Sequence, residues 1–158
     1  MQRLFSLIRY DLPLHFTLLL TAWMPDFVIC LRFRGWLAHF FFKNCGKNLR
    51  LGRGIVFYNP SNIYIGNNVY IAYGNWFSAM GNLKIGNDVL IGPKCIFSSS
   101  NHTLENNSFR YGKSELKSIK IGNGSWIAGN CSITAGTEIG ETVVVGAGSV
   151  LVLSLIHI

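Results

Sequence analysis

Acidic residues are scarce in this sequence: 7 Asp and Glu stand against 14 Lys and Arg in 158 residues, and only 13% of the chain is charged. So little charge excludes disorder over most of the length and points to extensive burial, an oligomer interface or a membrane contact. Cysteine is sparse as well. Cys30, Cys45, Cys95 and Cys131 show no CxxC spacing, which indicates neither a zinc site nor a disulfide scaffold. The apolar stretch from Leu12 to Pro25 is 14 residues long, too short to span a bilayer. It also reads poorly as a secretory signal, because Asp11 precedes it and no small-x-small site follows. The length fits one domain with a short extra segment.

The excess of positive charge is concentrated at one end. Arg3, Arg9, Arg32, Arg34, Lys43, Lys47, Arg50 and Arg53 face only Asp11 and Asp26, whereas the rest of the chain is nearly neutral. A basic, apolar N-terminal third suits an anionic membrane surface better than a nucleic-acid groove, which needs one continuous basic track. The segment "FVICLRFRGWLAHFFFKNCG" mixes aromatic and basic residues at helical spacing and is expected to stop at Gly46. Two compatible readings fit residues 1–50: helices packed on the body or on a partner subunit, and an interfacial anchor with Trp36 and the Phe cluster among headgroups.

From Leu51 onward an apolar residue followed by a small one recurs every six positions: Leu51-Gly52, Ile65-Gly66, Ile71-Ala72, Ile85-Gly86 and Ile91-Gly92. After a break come Ile121-Gly122, Ile127-Ala128, Ile133-Thr134, Ile139-Gly140 and Val145-Gly146. A second small or aliphatic residue stands four places later, as at Ile55, Val69, Val89, Cys95, Ile119, Cys131, Thr137 and Val143. Two inward positions per hexad predict an all-β solenoid, in which three hexads close one triangular coil and the leading residues stack into an inner column. The Gly after each leading residue is expected to serve the geometry of the corner. Cys95 and Cys131 fall on inward positions, where a free thiol acts as a small apolar side chain.

Leading positions run 51, 57, 65, 71, 77, 85, 91, 97, so one corner carries two extra residues in each coil. The next leading residue is Ile121, a gap of 24, so the third copy of that corner carries 16 more residues than its predecessors. A long polar loop, residues 98–118, therefore grows from an established corner, where function is commonly carried. His102 lies five residues after Phe97, the place of Asn62 after Phe57 and Asn82 after Phe77.

The hexads, the "NH" of the corner loop, "GNWFSAM", "IGPKCIFSSSNH" and "GSWIAGNCSITAGTEIGETVVVGAGSV" resemble the left-handed parallel β-helix acyltransferases, above all sugar O-acetyltransferases of the maltose, galactoside and surface-polysaccharide type. The resemblance covers residues 51 to about 151. It implies acetyl-CoA as acyl donor, no metal, a sugar or glycan acceptor, and a homotrimer with active sites between neighbouring subunits. It also implies a cytoplasmic location and a role in capsule, exopolysaccharide or lipopolysaccharide synthesis; a contact of residues 1–50 with the inner face of the membrane is the second reading given above for that segment.

Acyl transfer from a thioester to a hydroxyl needs a base for the hydroxyl proton, and histidine titrates near neutrality. His102 is the one histidine of the solenoid, because His15 and His39 are N-terminal and His157 lies in the tail; by resemblance it is the general base. Asn75 matches the family's pocket asparagine, Trp76 is placed to stack on a sugar ring, and Asn101 belongs to the "NH" motif; these three are the expected acceptor contacts. No acidic residue follows in "SAMG", which departs from the maltose-type pattern. Trp126 matches the tryptophan beside the coenzyme A arm, and Gly129 and Ala147 match positions whose backbone contacts pantetheine. The alternatives are an N-acetyltransferase acting on an amino-sugar nucleotide, a serine nucleophile at Ser98, Ser99 or Ser100 with Glu105 as orienting partner, and a non-catalytic scaffold. A zinc site of the three-histidine kind is not supported by a single solenoid histidine.

The organisation expected is a helical segment over 1–50, the β-helix domain over 51–152 and a tail, "LSLIHI" at 153–158. The tail reads as a translated sequencing adaptor and is expected to be non-native, with coil and a coenzyme-binding Lys missing beyond it.

Overall fold

A computed structural model describes residues 2–152, and the tail at 153–158 lies outside the described residues. Three parallel five-stranded sheets form the walls of a triangular solenoid. The first face stacks leading residues Cys45, Ile65, Ile85, Ile121 and Ile139. The second stacks Leu51, Ile71, Ile91, Ile127 and Val145, and the third Phe57, Phe77, Phe97, Ile133 and Leu151. Five coils result, with the columns the hexads predict. The ladder starts earlier than expected, however, because Asn44–Cys45 pairs with Ile63–Ile65. Cys45 occupies a leading position and Leu49 a buried second position, so residues 44–50 belong to the solenoid. Burial pushes the Cys45 thiol up to about 12, consistent with an apolar filler.

On the third face the rings stack face to face, with Phe57 and Phe77 centroids 4.8 Å apart and Phe77 and Phe97 4.7 Å apart. Phe42 closes this stack edge-on, 5.0 Å from Phe57. On the first-to-second corner an asparagine ladder ties coils together: Asn67, Asn87 and Asn123 each accept, through Oδ1, the backbone N–H of the preceding coil at 2.8–2.9 Å.

The glycines that follow leading residues have a different task from the one expected. A Cβ at Gly66 would lie 2.6 Å from the carbonyl carbon of Gly86, so the residue is small because the coils approach closely. Left-handed backbone falls two residues later instead, at Asn48, Asn68 and Asp88 on one corner and Gly54, Gly74, Lys94, Asn130 and Gly148 on the next. Lys94 is the misfit of that second column, held at φ +57°. Lys94→Asn should raise stability by about 0.5–1 kcal/mol in urea unfolding, since Asn tolerates this region, as Asn130 does one coil on.

The N-terminal segment is helical over Gln2–Ser6 (α1), passes through a π turn at Leu7–Asp11, and continues as α2 (Leu12–Leu20). After Pro25 comes α3 (Val28–Ala38), followed by a 3-10 turn at His39–Phe41. Helix therefore ends before Gly46, which is a coil corner. These elements plug the open end of the first coil: Leu14, Ala38 and Phe42 join the cluster of Leu51 and Ile55. Arg34, 1% exposed, completes the plug. Its guanidinium donates to the carbonyls of Thr21 and Met24 in the turn after α2, to the carbonyl of Leu51, and to Asp26 at 3.2 Å. Along the second face the carbonyl of each leading residue accepts from the preceding coil, as Ile71 O does from Gly52 N–H. Arg34 supplies that missing donor to the first coil.

Candidate active site

The extended corner is not a loose loop. Ser100–His102 and Ser114–Leu116 pair as an antiparallel hairpin, with His102 opposite Ser114 and Asn101 opposite Glu115. Its tip is closed by reciprocal backbone hydrogen bonds between Glu105 and Ser108, around Asn106 and Asn107 at φ +50° and +58°. Positive φ at both central residues is the primed turn that suits a hairpin, and the pair "NN" is the sequence signal for it.

At the base of the hairpin the solenoid register closes as if the insertion were not there. Leu83 pairs with Ile119, so Asn82 stands beside Ser118. His102 thus does not share the corner position of Asn62 and Asn82; counting forward from Phe97 runs out along the hairpin. His102 is exposed there, and its ring has no hydrogen-bond partner among the described residues. Asn101 is exposed too, but adjacent strand residues point to opposite sides. The hairpin does not bring the two side chains together.

The serines near His102 are already engaged. Ser99, fully buried, donates its hydroxyl to Ser78 O at 3.1 Å, and Ser98 donates to Ser100 O at 3.1 Å. Glu105 sits in the tip turn. Nothing here assembles a serine nucleophile with its base and orienting acid.

The sugar contact expected of Asn75 does not fit its placement. Asn75 is 1% exposed; Nδ2 donates to Ala72 O at 2.7 Å and Gly92 O at 2.9 Å, and Oδ1 accepts the N–H of Cys95 at 2.8 Å. It braces two consecutive coils at the second-to-third corner. Its spacing, four residues after Ile71, already marks an inward position. Trp76 lies on the outer side of the third face, half-buried against Tyr58 at 5.6 Å.

Trp126 is 48% exposed on the outer side of the second face, in register with Leu90 and Val144. Gly129 and Ala147 stack on the second-to-third corner, linked by the Gly148 N–H to Gly129 O hydrogen bond of 3.0 Å. A Cβ at Gly129 would meet Pro93 O at 3.2 Å, whereas one at Gly148 would meet nothing within 4 Å. The corner is therefore tight between coils at Gly129, and Gly148 stands in the last coil described. Within one chain these residues and His102 occupy different corners, with the third face between them.

A solved hexapeptide-repeat acetyltransferase of Vibrio cholerae, complexed with acetyl coenzyme A, superposes with a TM-score of 0.77 at 25% identity, over 90% of this chain and 75% of that one. A galactoside acetyltransferase in complex with coenzyme A gives 0.75 at 28% identity, over 87% and 68% of the two chains. Residues 118–152 match the family described as bacterial transferase hexapeptide (six repeats). The fold is that of the hexapeptide-repeat left-handed β-helix. This β-helix is also 32% identical over 110 residues to the galactoside O-acetyltransferase of Escherichia coli K12, covering 70% of this chain and 54% of that protein. It thus spans about half the length of that relative. The left-handed coil, contrary to the usual crossover rule, is the feature the β-helix shares with these neighbours. Among the described residues no three His, Cys, Asp or Glu side chains cluster as metal ligands, and no helix is long and apolar enough to cross a membrane.

Proposed function

We propose that this β-helix is an acyl-CoA-dependent O-acetyltransferase acting on a sugar hydroxyl in surface-polysaccharide assembly, on the cytoplasmic side of the membrane. The observation that carries this reading is the insertion of an ordered hairpin bearing an unpartnered His102 at one corner of an otherwise regular solenoid. It is supported by likeness to proteins named as galactoside and maltose O-acetyltransferases and to neighbours solved with coenzyme A. In the proposed reaction His102 takes the proton of the acceptor hydroxyl as its oxygen bonds to the thioester carbonyl carbon. The carbon–sulfur bond breaks, and the thiol of coenzyme A leaves with the proton. No acyl-enzyme is required, in keeping with the engaged serines.

Geometry also favours a homotrimer. The first face carries polar outer residues, Lys84, Lys120 and Glu138 among them, whereas the second and third expose Leu90, Trp126 and Val144, and Val56, Ile96 and Val150. Packing these apolar faces between copies covers them and sets the hairpin of one copy against the corner of Gly129 and Ala147 in the next. The four free cysteines suit a reducing compartment. The test is thiol release from acetyl-CoA across free sugars, nucleotide sugars and lipid-linked saccharides. Acceptor-dependent release on a hydroxyl sugar is expected; release only with amino sugars would shift the reading to N-acylation, and none at all would leave a scaffold.

A further inference from the structure

The plug of helices has an outer surface unlike that of a cap facing water. On α3 the stripe Leu31, Arg34, Gly35 and Ala38 is buried on the first coil, yet the opposite stripe is Ile29, Phe33 and Trp36, continued by Phe40 in the 3-10 turn, all exposed. Phe33, Trp36 and Phe40 form a continuous aromatic cluster, with ring centroids 6.1 and 6.3 Å apart. On the neighbouring helix, which contains no full charge, Phe16, Leu19 and Leu20 face outward, and Trp23 follows at 80% exposure. Half of the exposed large apolar side chains among the described residues lie between Leu4 and Phe40. A soluble helix pairs one apolar stripe with a polar one; these helices are apolar on both.

The charges around this surface have one sign. Arg3, Arg9, Arg32, Lys43 and Lys47 are exposed, while the two acids of the segment are turned inward. Asp26 is held by Arg34 and Arg53, and Asp11 accepts the N–H of Asn59. Beside the aromatic cluster a recess of about 540 Å³ is lined by Arg32, Trp36, His39 and Lys47, a combination suited to a phosphate headgroup. A second copy docked face to face would set this basic fringe against itself.

We infer that the helical cap is a membrane-docking surface, which seats its apolar face at the interface of an anionic bilayer with the cations on lipid phosphates. No helix crosses. The solenoid then stands end-on, and the hairpin of His102 leaves the third coil. Two coil spacings of about 4.8 Å above a helix layer of about 10 Å put that corner roughly 20 Å from the interface. This docking holds whether or not the corner transfers acyl groups.

The probe is co-sedimentation of the full chain with vesicles of phosphatidylcholine alone and of phosphatidylcholine with phosphatidylglycerol. Binding should favour the anionic vesicles and fall with salt. Arg32→Ala and Lys47→Ala should each weaken it about fivefold, and Leu20→Ser or Trp23→Ser about tenfold. These side chains are exposed, so circular dichroism should show the fold unchanged. Protein left in the supernatant with anionic vesicles would overturn the proposal. So would undiminished binding by the Leu20 and Trp23 variants, or, in sedimentation velocity, a species larger than the trimer that vesicles do not disperse and that the Trp23 variant abolishes.

Discussion

Replacing His102 by alanine should reduce turnover by a factor of about 10² to 10⁴, the range a positioned general base contributes, while the dissociation constant for coenzyme A stays unchanged. The two parameters separate because the residues proposed for the coenzyme arm, Trp126, Gly129 and Ala147, lie on the second face and its corner, and His102 is on the hairpin. The side chain is exposed and bonded to no other residue described, so thermal stability should not move. Steady-state kinetics with saturating acceptor, calorimetric titration of coenzyme A and a melting curve give the three readouts. Turnover that survives largely intact would remove His102 from the chemistry.

Arg34→Ala should destabilise the fold by about 3–5 kcal/mol, because it removes one partner of a buried, charged network and leaves the others unpaired. The carbonyls of Met24 and Leu51 lose their Arg34 donor, that of Thr21 keeps only the Met24 N–H, and Asp26 keeps only Arg53. At about 2–4 °C per kcal/mol for a chain of this size, the melting temperature should fall by roughly 6–20 °C. Arg34→Lys should recover only part, since an ammonium group lacks the planar fork that reaches the turn after α2 and the coil together. A loss near 1 kcal/mol, the worth of an exposed ion pair, would mean that Leu14, Ala38 and Phe42 hold the cap without it.

The three columns of leading residues were legible because an inward aliphatic residue and a close coil contact recur with a fixed period, and both leave their mark on residue type. The start of the ladder was hidden because its first leading residue is Cys45, whose thiol does an aliphatic residue's work. Asn75 misled for a related reason: as a motif residue it suggests a ligand, whereas its place four after Ile71 makes it an inward brace. The hairpin was foreseen as an insertion of the right length but not as paired strands, though Asn106 and Asn107 carry the turn signal. Nothing in the spacing could show that Arg34 stands in for a missing coil, since that role depends on a helix laid across the ladder's open end.

The register on either side of the hairpin has a consequence for how such a chain can change. Leu83, Lys84 and Ile85 meet Ile119, Lys120 and Ile121 directly, so 16 residues enter and leave the wall without shifting a single rung. Loop length costs little once the ends are fixed, about 0.6 kcal/mol for each doubling. The corner therefore works as an interchangeable fitting on a standard frame: its contents can be rewritten while every coil above and below keeps its place.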